Sequence, residues 1–178
     1  MIRITKGLVI VALFLCAAGV SAQNLKFGHI NSQELIMAMP ERDSAEAKLN
    51  KYAKDLQDQI ETLQVEFNKK YQDYLQKQTT FTVAIREMKE KELNDLKQRG
   101  EEFQQTAQQD YQRQQAELMK PVVDKANAAI QKVAKANGFI YVFDISTGSV
   151  AYFSDQSIDV LPLVKKELGI TKVTIEKK

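Results

Sequence analysis

The chain has 178 residues, of which 25 are Lys or Arg, 23 are Asp or Glu and one is His, so its formal net charge is +2. That near balance argues against a general polyanion binder, nucleic acid included, because such proteins carry a clear basic excess. Cys16 and His29 are the only residues of their types, which leaves little for a disulfide framework or a metal site.

The first 22 residues are typical of an export signal. Arg3 and Lys6 supply the positive end, residues 8–18 form an apolar run, and Val20-Ser21-Ala22 matches a small-x-small cleavage site. The run is too short to span a bilayer comfortably. We therefore expect an exported protein whose signal peptide is cleaved after Ala22.

Cys16 lies inside this run and offers a second interpretation, a lipoprotein, which Leu15 disfavours because a small residue is expected before the modified cysteine. Cleavage after Ala22 leaves no cysteine, so stability must come from packing or oligomerisation. It also removes Arg3 and Lys6, which leaves 23 basic against 23 acidic residues and a formally neutral mature chain.

The start of the mature chain predicts a short strand over residues 25–30. Asn31 followed by Glu34 resembles a capping box and predicts a short helix over residues 33–39. Pro40 fits the first turn of the next helix, where its missing N–H is not needed.

The longest pattern runs from Glu41 to Lys120, which contains no proline and one glycine, Gly100. Apolar residues recur there at steps of three and four in an eleven-residue cycle, first seen at Leu49, Tyr52, Leu56, Ile60, Leu63, Phe67, Tyr71 and Tyr74. Such a repeat corresponds to about 3.67 residues per turn and predicts nearly straight helices joined along a narrow apolar seam. Residues 78–83 interrupt the cycle, which predicts the turn of a helical hairpin.

The second arm of this hairpin is predicted over residues 84–136, ending at Asn137-Gly138. Pro121 should bend it by removing one backbone hydrogen bond. The return arm is longer than the outgoing one, so its last turns beyond Pro121 should pack against the body of the protein.

The tail predicts a β-hairpin and a helix. Residues 139–145 are strand-like, residues 146–149 form a turn, and residues 150–154 return as a second strand. Asp159 is expected to cap a final helix that ends at Gly169.

Three short strands make a poor sheet alone. Alternation places Phe139, Tyr141, Phe143 and Ile145 on one face and Val142 on the other, so both faces need cover. Copies of the chain that close the sheet together would provide it. The predicted trimerisation residues are Phe139, Tyr141, Val142, Phe143, Ile145, Tyr152 and Phe153.

This arrangement resembles the Skp (OmpH-like) family of periplasmic chaperones over essentially the whole mature chain. The resemblance is carried by Ile30-Asn31-Ser32-Gln33-Glu34 with Met39-Pro40-Glu41, by Ala136-Asn137-Gly138-Phe139, and by Ser157-Ile158-Asp159-Val160. It implies an α+β fold in which a long antiparallel helical hairpin, the tentacle, projects from a small β-barrel trimerisation body in a jellyfish-shaped homotrimer. The implied division is a signal peptide over 1–22, a body over 23–40 and 121–178, and a tentacle over 41–120.

The family resemblance further implies an ATP-independent holdase that binds unfolded outer-membrane β-barrel proteins in the cavity between tentacles and prevents their aggregation. The best-known members are strongly basic, whereas this mature chain is neutral, which weakens a mainly electrostatic capture mechanism here. The alternative is a structural coiled-coil spacer or adaptor of the cell envelope. The predicted β-hairpin and final helix favour the chaperone, since a spacer needs no barrel-like body.

Candidate client-binding residues lie near the hairpin turn. Phe81, Val83 and Met88 are apolar residues outside the seam, with little partner surface within a hairpin. Lys69, Lys70 and Lys77 contribute to a local positive charge. Gly100 either marks a flexible joint or is a tolerated defect, and the strictly periodic aromatics are expected to pack in the seam.

Nothing in the sequence favours an enzyme or a cofactor. His29 is expected to be an ordinary strand residue, and the Glu101-Glu102 and Glu87/Glu90 pairs are expected to be solvated. No glycine-rich phosphate loop is present, so no nucleotide-driven cycle is indicated. The expected partners are unfolded outer-membrane proteins and further copies of the chain; nucleic acid is not expected, and contact with a membrane is left open without being predicted.

Overall fold

The computed structural model describes residues 25–170. Its elements, in chain order, are β1 (Lys26–Ile30), α1 (Ser32–Met37), α2 (Pro40–Lys77), α3 (Val83–Ala136), β2 (Phe139–Asp144), β3 (Ile158–Asp159) and α4 (Leu161–Glu167). The predicted signal peptide, its cleavage site and Cys16 lie outside the described residues, as do residues 171–178.

Helices α2 and α3 form the predicted antiparallel hairpin. They contain 38 and 54 residues, and at 1.5 Å per residue they extend for about 57 Å and about 81 Å. The turn lies at residues 78–82, as the interrupted pattern predicts, except that Val83 already belongs to α3. The Thr82 side chain accepts a hydrogen bond from the N–H of Ile85 and so caps α3.

Caps and stops follow the local sequence closely. The Asn31 side chain accepts the N–H of Glu34 at 3.0 Å, and Pro40 lies in the first turn of α2. Gly138 and Gly169 adopt positive φ angles of 71° and 70° at the two predicted helix ends. Helix α3 continues on both sides of Pro121, where the bend stays a prediction.

The final helix begins differently from the prediction. Its N-cap residue is Val160, which makes no side-chain capping bond, so Asp159 does not hold that position. Asp159 nonetheless satisfies one orphan donor, because its Oδ1 accepts the N–H of Leu161 at 2.9 Å.

The core lies where the base of the hairpin meets the sheet and α4. Its most completely buried side chains come from β1, α1 and α4 and from the residues beside them: Ile30, Leu35, Met39, Val160 and Val164. The last turns of α3 add Val122, Ala126, Ala129 and Val133. The prediction that the return arm packs against the body beyond Pro121 is therefore confirmed.

The sheet has the order β2-β1-β3, and both pairings are parallel. The predicted β-hairpin is therefore wrong: residues 150–154 form no strand, and β3 pairs with β1 instead. The connection from β2 runs over one face of the sheet, where the Phe153 ring stacks on His29 with centroids 4.1 Å apart. Parallel strands need such crossovers, whereas a tight turn joins only antiparallel neighbours.

A register break between Lys26 and Phe27 changes which side chains face the core. Lys26 pairs with Phe139 but Phe27 pairs with Tyr141, so Ile140 is an extra residue in β2. An extra residue reverses the alternation on one side of the bulge. Phe139 accordingly packs against the core with Val142, and the prediction that it shares a face with Tyr141 is wrong.

A polar cluster joins the end of β2 to the start of α1. Asp144 Oδ1 accepts the backbone N–H of Ser32 at 3.2 Å and that of Ser146 at 3.0 Å, and Oδ2 accepts the Ser32 hydroxyl at 2.5 Å. Burial raises the pKa of Asp144, but these hydrogen bonds outweigh it and hold the pKa below its ordinary value. The cluster thus links the end of β2 to the segment that follows β1.

Candidate functional site

The tip of the hairpin exposes part of the predicted client-binding set. Val83 is 71% exposed and Met88 is 57% exposed, and both lie on the first two turns of α3. Phe81 differs from them, since it is half-buried and its ring centre lies 6.2 Å from that of Tyr74 on α2. Val83 and Met88 are therefore accessible to a partner, whereas Phe81 packs within the turn of the hairpin.

Lys70 belongs to an ion cluster that links the two arms. Its ammonium group pairs with Glu92 of α3, and Lys89 donates to the same carboxylate at 2.9 Å. Hydrogen bonds from Lys70, and then from Lys89, lower the pKa of Glu92 to about 2. Lys70 is thus engaged within the hairpin.

The other two predicted lysines, Lys69 and Lys77, form no ion pair between the two arms among the described residues. Lys77 pairs with Asp73 one turn earlier on the same helix, and both are at least half exposed. Lys69 lines a shallow charged depression beside them. Exposed pairs of this kind are weak, so these ammonium groups remain accessible to a partner.

The sheet carries an exposed aromatic face on the side away from the core. The paired strands place Phe27 beside Tyr141 and His29 beside Phe143, and the connection from β2 adds Tyr152 and Phe153. We call these six residues the aromatic face. The exposed fractions are 60% for Tyr141, 46% for Phe143 and 83% for Tyr152.

Five of these six residues, all but Tyr141, line a cavity of about 530 Å³ together with Leu25, Val150 and several polar residues. Soluble chains rarely leave a contiguous aromatic surface of this kind uncovered. Of the predicted trimerisation residues, Tyr141, Phe143, Tyr152 and Phe153 belong to the aromatic face. Phe139 and Val142 face the chain's own core, and Ile145 is half-buried with its N–H bonded to Ile30 O at 2.9 Å.

Sequence reasoning missed Leu25 and Phe27 as members of this surface, although both are exposed. The signal was available in the alternation of β1, because Phe27 and His29 share a face of a strand whose other face is buried at Gly28 and Ile30. Gly28 leaves little space there: a Cβ would lie 3.0 Å from Val160 Cγ1 and 3.1 Å from the Phe139 ring, so a larger residue would have to displace these side chains by a few tenths of an ångström.

His29 is a strand residue, as expected. Its Nδ1 lies 2.9 Å from the Ser157 hydroxyl, and its ring stacks on Phe153. Within residues 25–170, no three His, Cys, Asp or Glu side chains converge as metal ligands would. Through its contacts with Ser157 and Phe153, His29 holds the segment that precedes β3 against the sheet.

No helix among the described residues has both the length and the apolar content that crossing a membrane requires. The long helices are amphipathic, with half-buried seam residues and exposed polar faces on the other sides. The two long helices therefore present an extended, mostly polar surface to solvent.

Comparisons with known proteins agree with this architecture. The sequence model of the family described as outer membrane protein (OmpH-like) matches residues 26–168. No curated protein matches the chain in sequence. A crystal structure of a candidate outer membrane chaperone (OmpH-like) from Caulobacter crescentus CB15 is similar in fold, with a TM-score of 0.71 and 14% sequence identity over 81% of this chain and 83% of that chain. Because the family match spans most of the sequence, the chain belongs to the OmpH-like family.

Proposed function

We propose that this chain is a periplasmic chaperone of the holdase type, which binds unfolded outer-membrane β-barrel proteins without ATP and keeps them from aggregating. One observation carries the proposal: a hairpin of two helices, 38 and 54 residues long, extends from a small body, and its arms meet along a narrow seam. Arms of this kind offer long surfaces to a partner and no enclosed site for chemistry. Membership of the OmpH-like family supports the same role.

The aromatic face supports a second part of the proposal, assembly into a homotrimer. Exposed rings on one side of a three-stranded sheet, and an outer strand β2 with an open edge, both favour pairing with further copies. A shared, closed barrel would cover the face and remove the open edges. Three such hairpins would then surround a cavity in which a client is held.

Holding is proposed to rest on many weak apolar and hydrogen-bonding contacts along the inner arm surfaces. The mature chain, after cleavage behind Ala22, is formally neutral, so long-range attraction is small. Val83 and Met88 are the apolar side chains best exposed for this purpose near the tip. A cage converts weak contacts into tight holding through effective concentration.

The test is light scattering of an unfolded outer-membrane barrel diluted into buffer with the protein purified from the periplasm. The intact mass of the purified protein should correspond to a chain that begins at Gln23. We expect suppression of aggregation without ATP, falling only modestly between about 50 and 500 mM salt, where attraction between exposed charges is screened.

Two matched variants separate the contact types. Replacing Val83 and Met88 with serine should weaken suppression while leaving helix content unchanged, whereas replacing Lys69 and Lys77 with alanine should mainly slow association. Complete loss of protection at high salt, with the serine variant unaffected, would restore an electrostatic mechanism. A wild-type protein that never suppresses aggregation would favour the spacer.

A further inference from the structure

The seam between the arms lacks one side chain at mid-length. Along α3 the seam passes through Leu96, Gly100, Phe103 and Ala107 at steps of four, three and four. At Gly100 no side chain enters the space between the helices. In knobs-into-holes terms, one hole on α2 has no knob.

The missing side chain leaves an open groove of about 270 Å³. Its walls are apolar, and its rim is polar and exposed. We call it the Gly100 groove; the walls are Ile60, Leu63, Phe67, Leu96 and Gly100, and the rim is Gln64, Lys97, Glu101 and Gln104.

No steric reason requires a glycine at this position. A Cβ built on Gly100 meets nothing within 4 Å, and the residue lies in the middle of a continuous helix. Glycine there lowers helix stability relative to alanine, as glycine does in any helix interior. Its effect on the surface is therefore to open the groove rather than to avoid a clash.

The dimensions of the groove indicate what it accepts. A closed apolar cavity of about 150 Å³ takes up a benzene molecule, so this larger, open groove has room for one aromatic or branched aliphatic side chain. It is too small for a helix. An occupant therefore enters the groove with a single apolar side chain.

The rim suits the backbone of such a chain. Lys97 and Glu101 form only a loose pair, with N···O 3.9 Å and side chains 66% and 68% exposed. The ammonium is free to donate to a peptide carbonyl, and the carboxylate is free to accept a peptide N–H. Gln64 and Gln104 can do both, which complements the alternating donors and acceptors of an extended polypeptide.

The groove is also continuous with the outer surface toward the tip. Phe67, one of its walls, stacks on Tyr71 with centroids 5.9 Å apart and an interplanar angle of 7°. Tyr71 is itself exposed. An extended chain lying in the groove therefore also reaches the exposed Tyr71 ring on the side of the groove that faces the tip.

We propose that the Gly100 groove is a binding subsite for one aromatic or large aliphatic side chain of an extended, unfolded polypeptide. The inference rests on the proposed holding function and adds to it a defined contact at mid-arm. It also replaces both sequence-based interpretations of Gly100, since the glycine acts here by leaving room.

The probe is a ten-residue peptide of serine and threonine with one central phenylalanine, matched by the same peptide with serine at that place. Binding to the full mature chain is followed by methyl NMR of Ile60, Leu63 and Leu96. We expect saturable shifts at these methyl groups with the phenylalanine peptide and none with the serine peptide.

Three variants test the role of the open space. Gly100→Leu should fill the groove and weaken binding by about tenfold or more, because burial of one apolar side chain is lost. Gly100→Ala adds one methyl group and should change affinity by no more than about threefold. Ala116→Leu places the same leucine at an exposed position of α3 and should have no effect.

Several results would overturn the subsite. Shifts confined to the tip, or equal binding by Gly100→Leu and wild type, would contradict it. If Gly100→Ala weakens binding as much as Gly100→Leu, backbone flexibility explains the glycine instead. Suppression of aggregation by the wild type, measured in parallel, distinguishes failure of the subsite alone from failure of the proposed holding function.

Discussion

At the scale of single residues, the side chain that organises the body is Asp144. It is the last residue of β2, and its carboxylate accepts hydrogen bonds from the backbone N–H groups of Ser32 and Ser146 and from the Ser32 hydroxyl. A carboxylate bound in this way favours its charged form. The sequence does not reveal its pairing with Ser32, because the two residues lie 112 positions apart.

Replacing Asp144 with asparagine should lower the free energy of unfolding by about 1–2 kcal/mol, since a half-buried group loses a charge-assisted acceptor. The folded-state pKa of Asp144 is depressed, so its contribution is present above the unfolded value of about 3.9 and is lost as pH falls through the folded value. Urea unfolding at pH 7 and at decreasing pH checks both points. Asp155→Asn, on the exposed connection, is the control. An Asp144→Asn protein with wild-type stability and wild-type acid sensitivity would contradict this role.

At the scale of elements, the hairpin is held by a seam of half-buried residues and by a few contacts between the arms. The Lys70–Glu92 pair joins α2 to α3, and the pair of Lys125 with Glu41 joins them again near the base. Both pairs are partly exposed and contribute little alone. At the tip, Phe81 adds an apolar contact with Tyr74 to the hydrogen bond from the Tyr74 hydroxyl to Glu90.

Replacing Phe81 with serine should loosen the tip, because the ring packs on Tyr74 and lies outside the helices it connects. We expect a local loss of about 1–2 kcal/mol, seen as faster hydrogen exchange in the last turns of α2 and the first turns of α3. The Val83→Ser, Met88→Ser protein is the matched control, and its exchange should match wild type because both side chains are exposed. Equal exchange in all three proteins would show that Phe81 does not close the turn.

At the scale of the whole molecule, a small core and a large uncovered surface are found together. The buried cluster unites β1, α1, the end of α3 and α4, while the aromatic face on the other side of the sheet stays exposed. A chain of this design gains stability when the face is covered. Because the core and the aromatic face are built from different side chains, we expect mutations to separate assembly from folding of the body.

Phe143→Asp should abolish the proposed trimer and leave a folded monomer, because a charge buried between copies is costly while the same charge in water is not. Val142→Asp should instead unfold the body, since Val142 packs against the chain's own core. Size exclusion with light scattering should report about three chain masses for wild type and one for Phe143→Asp, with circular dichroism recording helix content. A wild-type monomer, or a Phe143→Asp trimer, would contradict assembly through the aromatic face.

Much of the fold could be predicted from the sequence because its signals are local. The eleven-residue cycle, the interruption before Val83, the cap at Asn31 and the stop at Gly138 each depend on neighbours within a few positions. A helix satisfies its own backbone, so its length and ends follow from its own residues. The same local pattern predicted the exposure of Val83 and Met88, whereas Phe81 packs on Tyr74; a role of these residues in binding a client stays a prediction.

The strand pairing and the faces of the sheet were decided only by the tertiary structure. A strand has no internal hydrogen bonds, so its partners depend on which segments the long hairpin brings together. Here β1 pairs in parallel with both β2 and β3, and the tail forms no β-hairpin. One extra residue at Ile140 then turned Phe139 from the aromatic face to the core. The sequence by itself determined the arms and their ends, through contacts a few residues apart; the body depends on contacts more than a hundred residues apart, which only the folded chain reveals.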